Sequence, residues 1–113
     1  MKKSWRPHAE HILENIRLLE RIQQRGDIFS DDILYAATLR TLQTLTEATQ
    51  HIPPELKAHH PEIPWKRISG FRNILVHDYL GDLDSAAVEE VIRRHIPALG
   101  VAVAALLEIP PEK

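Results

Sequence analysis

The chain has 113 residues, of which 43% are hydrophobic and 27% charged, a balance that predicts one folded domain over residues 1–113 and excludes a disordered chain. A formal net charge of −2 and a pI near 6.4 exclude a broadly basic protein that coats nucleic acid nonspecifically. Because the sequence contains no cysteine, disulfides, thiolate metal sites and cysteine nucleophiles are excluded as well. The longest apolar run, residues 97–107, is too short to cross a bilayer, and no secretory signal is seen, so we expect a cytoplasmic protein without membrane contact.

The first half of the chain predicts two helices, because its apolar residues follow a helical period and nowhere alternate as in a strand. The first helix is expected over residues 7–24, ending ahead of Gly26. Ser30 is expected to cap the second helix, with Asp31 and Asp32 in its first turn, where the helix dipole favours acids. The second helix should extend to the prolines at 53 and 54, and its apolar stripe comprises Leu34, Ala37, Leu42, Leu45, Ala48 and Ile52.

Residues 53–64 hold four of the eight prolines of the chain and predict a connector. At most one short helical turn is expected in it, around residues 55–59. A third helix should begin at Pro64 and end near residues 79–81.

The last helix is expected from Ser85 towards Glu108, followed by a frayed tail over residues 109–113. Pro97 lies inside this helix and should kink or split it, because proline removes a backbone hydrogen bond and crowds the preceding turn. We therefore predict an all-α fold, a four- to five-helix up-and-down bundle. The apolar stripe of the last helix either packs in the core or forms a dimer face, and it comprises Val88, Val91, Ile92, His95, Leu99, Ala102, Val103 and Leu106.

The third helix carries an unusual group of polar side chains. At about 100° per residue, Arg72, Asn73 and His77 lie on one arc, with Asn73 and His77 one turn apart. Tyr79 returns close to the direction of Arg72 if the helix continues that far. The opposite arc should face the core, and it is formed by Ile68, Phe71 and Leu75.

These side chains suit the cleavage of a phosphodiester. Imidazole exchanges protons near neutral pH, and guanidinium can hold two phosphate oxygens while charge develops in the transition state. RNA provides its own nucleophile, the 2′-hydroxyl, so neither a metal nor a protein nucleophile is needed. The alternative is that Arg72 and His77 are ordinary surface groups, or that they pair with Asp78 and Glu62.

The sequence around this helix resembles a known family. Ile63-Pro64-Trp65-Lys66, followed by Gly70-Phe71-Arg72-Asn73-Ile74-Leu75-Val76-His77-Asp78-Tyr79, is similar to the signature of the HepT-like group in the HEPN superfamily. The superfamily is marked by Arg-x4–6-His and this group by Arg-Asn-x3-His-x-Tyr. Arg40, Leu42 and Glu47-Ala48 resemble the second helix of the group more weakly.

The resemblance implies a helical homodimer whose two motifs meet near a cleft across the dimer axis. Active members are toxins that cleave RNA without a metal or another cofactor. Their cognate antitoxin is a minimal nucleotidyltransferase, thought to silence them by attaching nucleotides to the motif tyrosine. If the roles of the family motif apply to the matching positions of this sequence, His77 is the general acid/base and Arg72 is the phosphate-binding group. Asn73 is then the orienting group and Tyr79 the modification site. Alternatively, such proteins are non-catalytic, substrate-binding or accessory subunits of the nucleotidyltransferase.

The remaining candidates are weaker. Lys66 and Arg67 either extend an RNA-binding rim beside the motif or only solubilise the helix. The adjacent pair His59-His60 is expected in a solvated loop, because neighbouring side chains point apart. His8 and His11 have a spacing that suits a metal in a helix, but we expect them on a plain surface face, although Glu10 and Glu14 are near in sequence.

Overall fold

The computed structural model describes residues 4–77 and 84–110, and each regular element within them is a helix. The all-α prediction is therefore confirmed. The elements are α1 (Arg6–Arg25), α2 (Asp32–Thr49), α3 (Pro54–Lys57), α4 (Trp65–His77), α5 (Ser85–Glu90), a π-helical segment (Val91–His95) and α6 (Ile96–Leu107). None of the helices so described is long and apolar enough to span a membrane.

The long helices pack in the order α4, α2, α1 and α6, each chiefly against its neighbours in that series. The loop between α1 and α2 is short, which favours antiparallel neighbours. Apolar residues at helical spacing face inward and form one shared core. Its fully buried members include Ile12, Leu42, Leu45, Leu99 and Leu106.

Helix α2 buries polar residues among these apolar ones. Thr38, Thr46 and Thr49 are fully buried, and Thr41 is nearly so. Their hydroxyls donate to backbone carbonyls one turn earlier in the helix, at 2.8 Å for Thr38 to Leu34. Because each hydroxyl has its partner within the helix, its burial leaves no donor unsatisfied.

The expected cap of α2 is wrong by one residue. Asp31, not Ser30, is the N-cap, and its Oδ1 accepts from the backbone N–H groups of Ile33 and Leu34 at 2.9 and 3.2 Å. The Ser30 hydroxyl instead donates to Asp27 at 2.8 Å. Both residue types are good caps, so only the loop geometry decides between them.

The connector contains the one short helical turn that the prolines predict, α3. The indole Nε1–H of Trp65 donates to the backbone carbonyls of Lys57 and His60 at 3.2 and 3.1 Å. These two hydrogen bonds hold the connector against the start of α4, so residues of both segments contribute to one continuous surface.

Pro97 does not end the last helix, but the regular α-helical pattern is interrupted directly before it, where the π-helical segment separates α5 from α6. The chain stays helical from Ser85 to Leu107, and the π-helical segment lies directly before the turn that contains Pro97. There the N–H of Ile96 donates to the carbonyl of Val91, five residues back. The wider turn accommodates the proline without ending the helix.

The apolar stripe of this helix is used within the monomer. Seven of its eight predicted members are buried, and His95 is half-buried. The interpretation of the stripe as a dimer face is therefore wrong, because its apolar area is already covered by the core of the same chain.

The tail is also more ordered than expected as far as the structure describes it. The guanidinium of Arg6 donates to the carbonyls of Leu107, at 3.2 Å, and Ile109. Ile109 is half-buried against the core. The expectation of fraying from Ile109 onward is wrong for this residue, and residues 111–113 lie outside the described part.

Candidate active site

Helix α4 presents one face to the protein and the other to solvent. Ile68 and Phe71 are buried and Leu75 is half-buried, as the periodicity predicts. Asn73 and His77 are exposed. The helix rests chiefly on α2, and this contact fixes the direction in which the motif faces.

Arg72 does not lie on the exposed face with Asn73 and His77. Its side chain is half-buried and points towards α2, where its Nη2 is 3.8 Å from Oε1 of Glu47. Its Nη1 donates to the Asn73 side-chain oxygen at 3.3 Å. Its Nε is buried and makes no hydrogen bond to any described residue. The structure thus brings Arg72 and Asn73 together and adds Glu47 to the site.

The sequence gives no signal for Glu47, and it offers Glu62 instead as a possible partner of Arg72 or His77. That alternative is wrong: Glu62 contacts the Nδ1 of His60 at 3.1 Å. An ion pair between two helices has no local signal in the sequence, so only the packing of α4 on α2 reveals it.

The ion pair leaves Arg72 capable of holding an anion. A separation of 3.8 Å exceeds hydrogen-bonding distance, so Glu47 attracts the guanidinium without binding it directly. Guanidinium carries five N–H donors, and one of them is used by Asn73. A phosphodiester, whose two non-bridging oxygens share one negative charge, could therefore displace Glu47 and bind Arg72 in a bidentate manner.

His77 is the last described residue of α4 and its side chain is exposed. It lies about 140° round the helix axis from Arg72, and one turn along the helix from Asn73. Tyr79, the predicted modification site, and Asp78, the other predicted ion-pair partner, lie outside the described residues.

An open cleft of about 820 Å³ lies beside the motif, between the connector and α4. Asn73 belongs to its lining, and so does Lys66 of the predicted rim. Arg67, the second residue of that rim, is exposed but does not line the cleft.

The other histidines are arranged differently from the prediction. His8 is half-buried and stacks on His51 with ring centroids 4.0 Å apart, so only His11 lies on a plain surface. His60 is half-buried, whereas His59 is exposed. Within residues 4–77 and 84–110, no three His, Asp or Glu side chains are grouped so that they could hold a metal ion.

Residues 12–106 match the model of a protein family described as "Ribonuclease HepT-like". The chain belongs to this family. The matched range spans α2, α4 and residues 72–79, and the match confirms the predicted family.

Relatives of this HepT-like chain are found in bacteria and archaea. A protein of Caldanaerobacter subterraneus subsp. tengcongensis, named "Putative RNase", is 35% identical over 109 residues, 94% of this chain and 96% of the relative. "Probable ribonuclease HepT" of Thermococcus cleftensis is 33% identical over 102 residues, 88% of this chain and 92% of the relative. A longer protein of Methanocaldococcus jannaschii, named "Gamma-glutamylcyclotransferase and putative RNase", is 31% identical over 96% of this chain and 50% of its own length. No solved structure matches the chain significantly.

The contact between Glu47 and Arg72 should contribute little to the stability of this HepT-like protein. In a double-mutant cycle of Glu47→Gln and Arg72→Met, followed by urea unfolding, we expect a coupling below about 1 kcal/mol, because the Glu47 side chain is half-exposed and not hydrogen-bonded to Arg72. The matched control is the exposed pair Glu89 and Arg93 of the last helix, with atoms 3.6 Å apart, which should give a similar value. A coupling above about 2 kcal/mol for Glu47 and Arg72 would instead identify a structural ion pair.

Proposed function

We propose that this protein is the toxin of a toxin–antitoxin pair and acts as a metal-independent endoribonuclease. The observation that carries the proposal is the family motif along α4, in which Arg72 and Asn73 are hydrogen-bonded to each other and His77 follows one turn after Asn73 on the exposed side. The names of the relatives support RNA as the substrate.

In the proposed reaction, His77 takes the proton from a ribose 2′-hydroxyl as this oxygen attacks the adjacent phosphorus. The bond from the 2′ oxygen to phosphorus forms, and the bond from phosphorus to the 5′ oxygen breaks. The departing 5′ oxygen takes a proton from the imidazolium of His77 formed in this way, so the imidazole is neutral again when the products leave. The products are a 2′,3′-cyclic phosphate and a 5′-hydroxyl, so the RNA supplies every atom of the new bond.

Arg72 stabilises the charge that develops on the phosphate oxygens. It moves from the weak attraction of Glu47 to a direct bidentate contact with the scissile phosphate. Asn73 accepts from Arg72 through its side-chain oxygen, which leaves the amide N–H₂ free to orient the same phosphate. Glu47 is a positioning residue in this scheme, because it acts on the reaction only through Arg72.

Substitution of the motif should remove cleavage without unfolding the protein. His77→Ala should lower the rate of RNA cleavage by at least about 100-fold, the usual contribution of a general acid/base, with unchanged melting because the side chain is exposed. Arg72→Lys should restore little of the activity lost in Arg72→Ala, because lysine cannot make the bidentate contact. Cleavage of a labelled RNA by purified protein measures both effects.

The control for His77 is His11→Ala, which removes another exposed histidine of the same chain and should cleave RNA at the rate of the unmodified protein. If His77→Ala retains full activity and melts normally, the acid/base assignment is wrong. If the unmodified protein cleaves no RNA at all, the alternative role, a non-catalytic accessory subunit of a nucleotidyltransferase, becomes the better account.

We further propose that the protein is a homodimer and that α4, rather than the last helix, contributes to the interface. Ile74 is an apolar residue of the motif helix, next to Asn73, and it is 51% exposed. The family resemblance implies that the two motifs meet near the dimer axis, which favours Ile74 over exposed apolar residues elsewhere. Ile74→Lys should convert the dimer to a monomer in sedimentation or light scattering at micromolar concentration. Val101→Lys is the matched control, because Val101 of α6 is 74% exposed and should leave the dimer intact. A monomeric unmodified protein would contradict the proposal.

The proposed antitoxin is a minimal nucleotidyltransferase that attaches nucleotides to the phenol oxygen of Tyr79. The added phosphate would compete with RNA for Arg72, because it carries about one negative charge and guanidinium binds phosphate strongly. We expect Tyr79→Phe to remain toxic, to gain no nucleotide mass and to escape silencing by the active antitoxin in cells. Tyr35→Phe is the matched control, and it should still be modified and silenced. Silencing of Tyr79→Phe, or an adduct on another residue, would show that Tyr79 is not the modified residue.

A further inference from the structure

The cleft beside the motif is lined by basic, apolar and small polar residues. Its wall on the connector side includes Lys57, and its wall on the α4 side includes Trp65, Lys66 and Gly70. Its volume of about 820 Å³ is comparable with that of pockets that hold drug-sized molecules, about 300–1,000 Å³. The open cleft is therefore large enough for a nucleotide with its phosphate.

The charge of the cleft differs in sign from that of the whole chain. The chain has 16 acidic and 14 basic residues, yet the eleven described residues that line the cleft include two lysines and no acid. The ammonium of Lys57 lies 5.7 Å from the centre of the Trp65 ring. Partial burial lowers the pKa of Lys57, so this cation is less well solvated than a free surface lysine and gains more from an anionic partner.

Gly70 adds an independent observation. It lies inside α4, where glycine is less favourable than alanine, and a Cβ atom placed there would meet nothing within 4 Å. Packing within the monomer therefore does not require glycine. The bare backbone lies between Lys66 and Asn73 on the wall of the cleft and permits a close approach from outside.

We infer that this cleft binds single-stranded RNA next to the scissile phosphate, with Lys57 and Lys66 contacting the RNA backbone and a base lying over the bare helix at Gly70. The inference deepens the proposed function and rests on it. Asn73 links the two regions, because it lines the cleft and accepts a hydrogen bond from Arg72. The apolar residues of the lining suit the face of a base, and the lysines favour RNA over an apolar peptide.

Binding can be measured separately from cleavage. The probe is a fluorescein-labelled single-stranded oligonucleotide with 2′-fluoro riboses, which lacks the nucleophile. We expect Lys57→Gln combined with Lys66→Gln to weaken binding by roughly tenfold or more, and to reduce the slope of log K against log salt by about 1.4, or about 0.7 for each lost contact with a single strand. The matched control is Arg21→Gln with Arg25→Gln, two exposed cations near the distant C-terminal end of α1, which should bind like the unmodified protein.

Gly70→Ala separates a binding role from a structural one. Alanine favours the helix and meets no atom, so this variant should melt at the same temperature as the unmodified protein or higher, and yet bind the probe more weakly. Gly70→Gln, with a larger side chain, should weaken binding further. In a Trp5→Phe background Trp65 is the only tryptophan, and the probe should change its fluorescence.

The outcomes distinguish this inference from the proposed function. If RNA is cleaved in a reaction that requires His77, but the lysine and Gly70 variants bind the probe normally, the cleft does not bind RNA and the proposed function stands. If the variants weaken binding but no RNA is cleaved, the cleft binds RNA and the proposed function is wrong. Failure of the unmodified protein to bind the probe, or the same loss in the Arg21 and Arg25 control, would overturn the inference.

Discussion

The packing of α4 on α2 is the contact on which the candidate site depends. Ile68 and Phe71 are buried, and burial of a large apolar side chain is worth about 1.5–3 kcal/mol. The ion pair between Glu47 and Arg72, with its half-exposed carboxylate, is worth about 1 kcal/mol at most. Apolar burial therefore holds the helix in place, and Arg72 can change partners without undocking it. The proposed contact between Arg72 and a phosphate requires this freedom.

The same contact places the site between elements that are distant in sequence. Glu47 comes from α2, Arg72 and Asn73 come from α4, and the cleft uses the connector together with α4. The indole of Trp65 holds the connector against the start of α4 through two backbone carbonyls. The packing of α4 on α2 and on the connector therefore both positions the motif and forms the cleft beside it.

The sequence predicts those features that depend on local periodicity. The helices, the short turn in the connector and the inward arc of α4 all appear as expected, because apolar spacing determines them. Features that depend on the packing of one helix on another are not predicted from the sequence, or are predicted wrongly. Periodicity cannot show that the apolar stripe of the last helix is buried within its own chain, or that Arg72 turns towards Glu47. Nor can it show that Asp31 rather than Ser30 reaches the free N–H groups of α2. The buried threonines of α2 are not predicted as core residues, because threonine is polar and a search for apolar periodicity passes over it. They can be buried because their hydroxyls donate to backbone carbonyls of the same helix.

The central claim is that the motif cleaves RNA by transesterification with the 2′-hydroxyl as nucleophile. The most direct measurement is the chemistry of the ends produced when purified protein cleaves a defined RNA in the presence of EDTA, determined by mass spectrometry. The account predicts 2′,3′-cyclic phosphate and 5′-hydroxyl ends, with no cut at a position where the ribose is 2′-fluoro. Fragments with 3′-hydroxyl and 5′-phosphate ends, or cleavage only after a divalent metal is added, would contradict it.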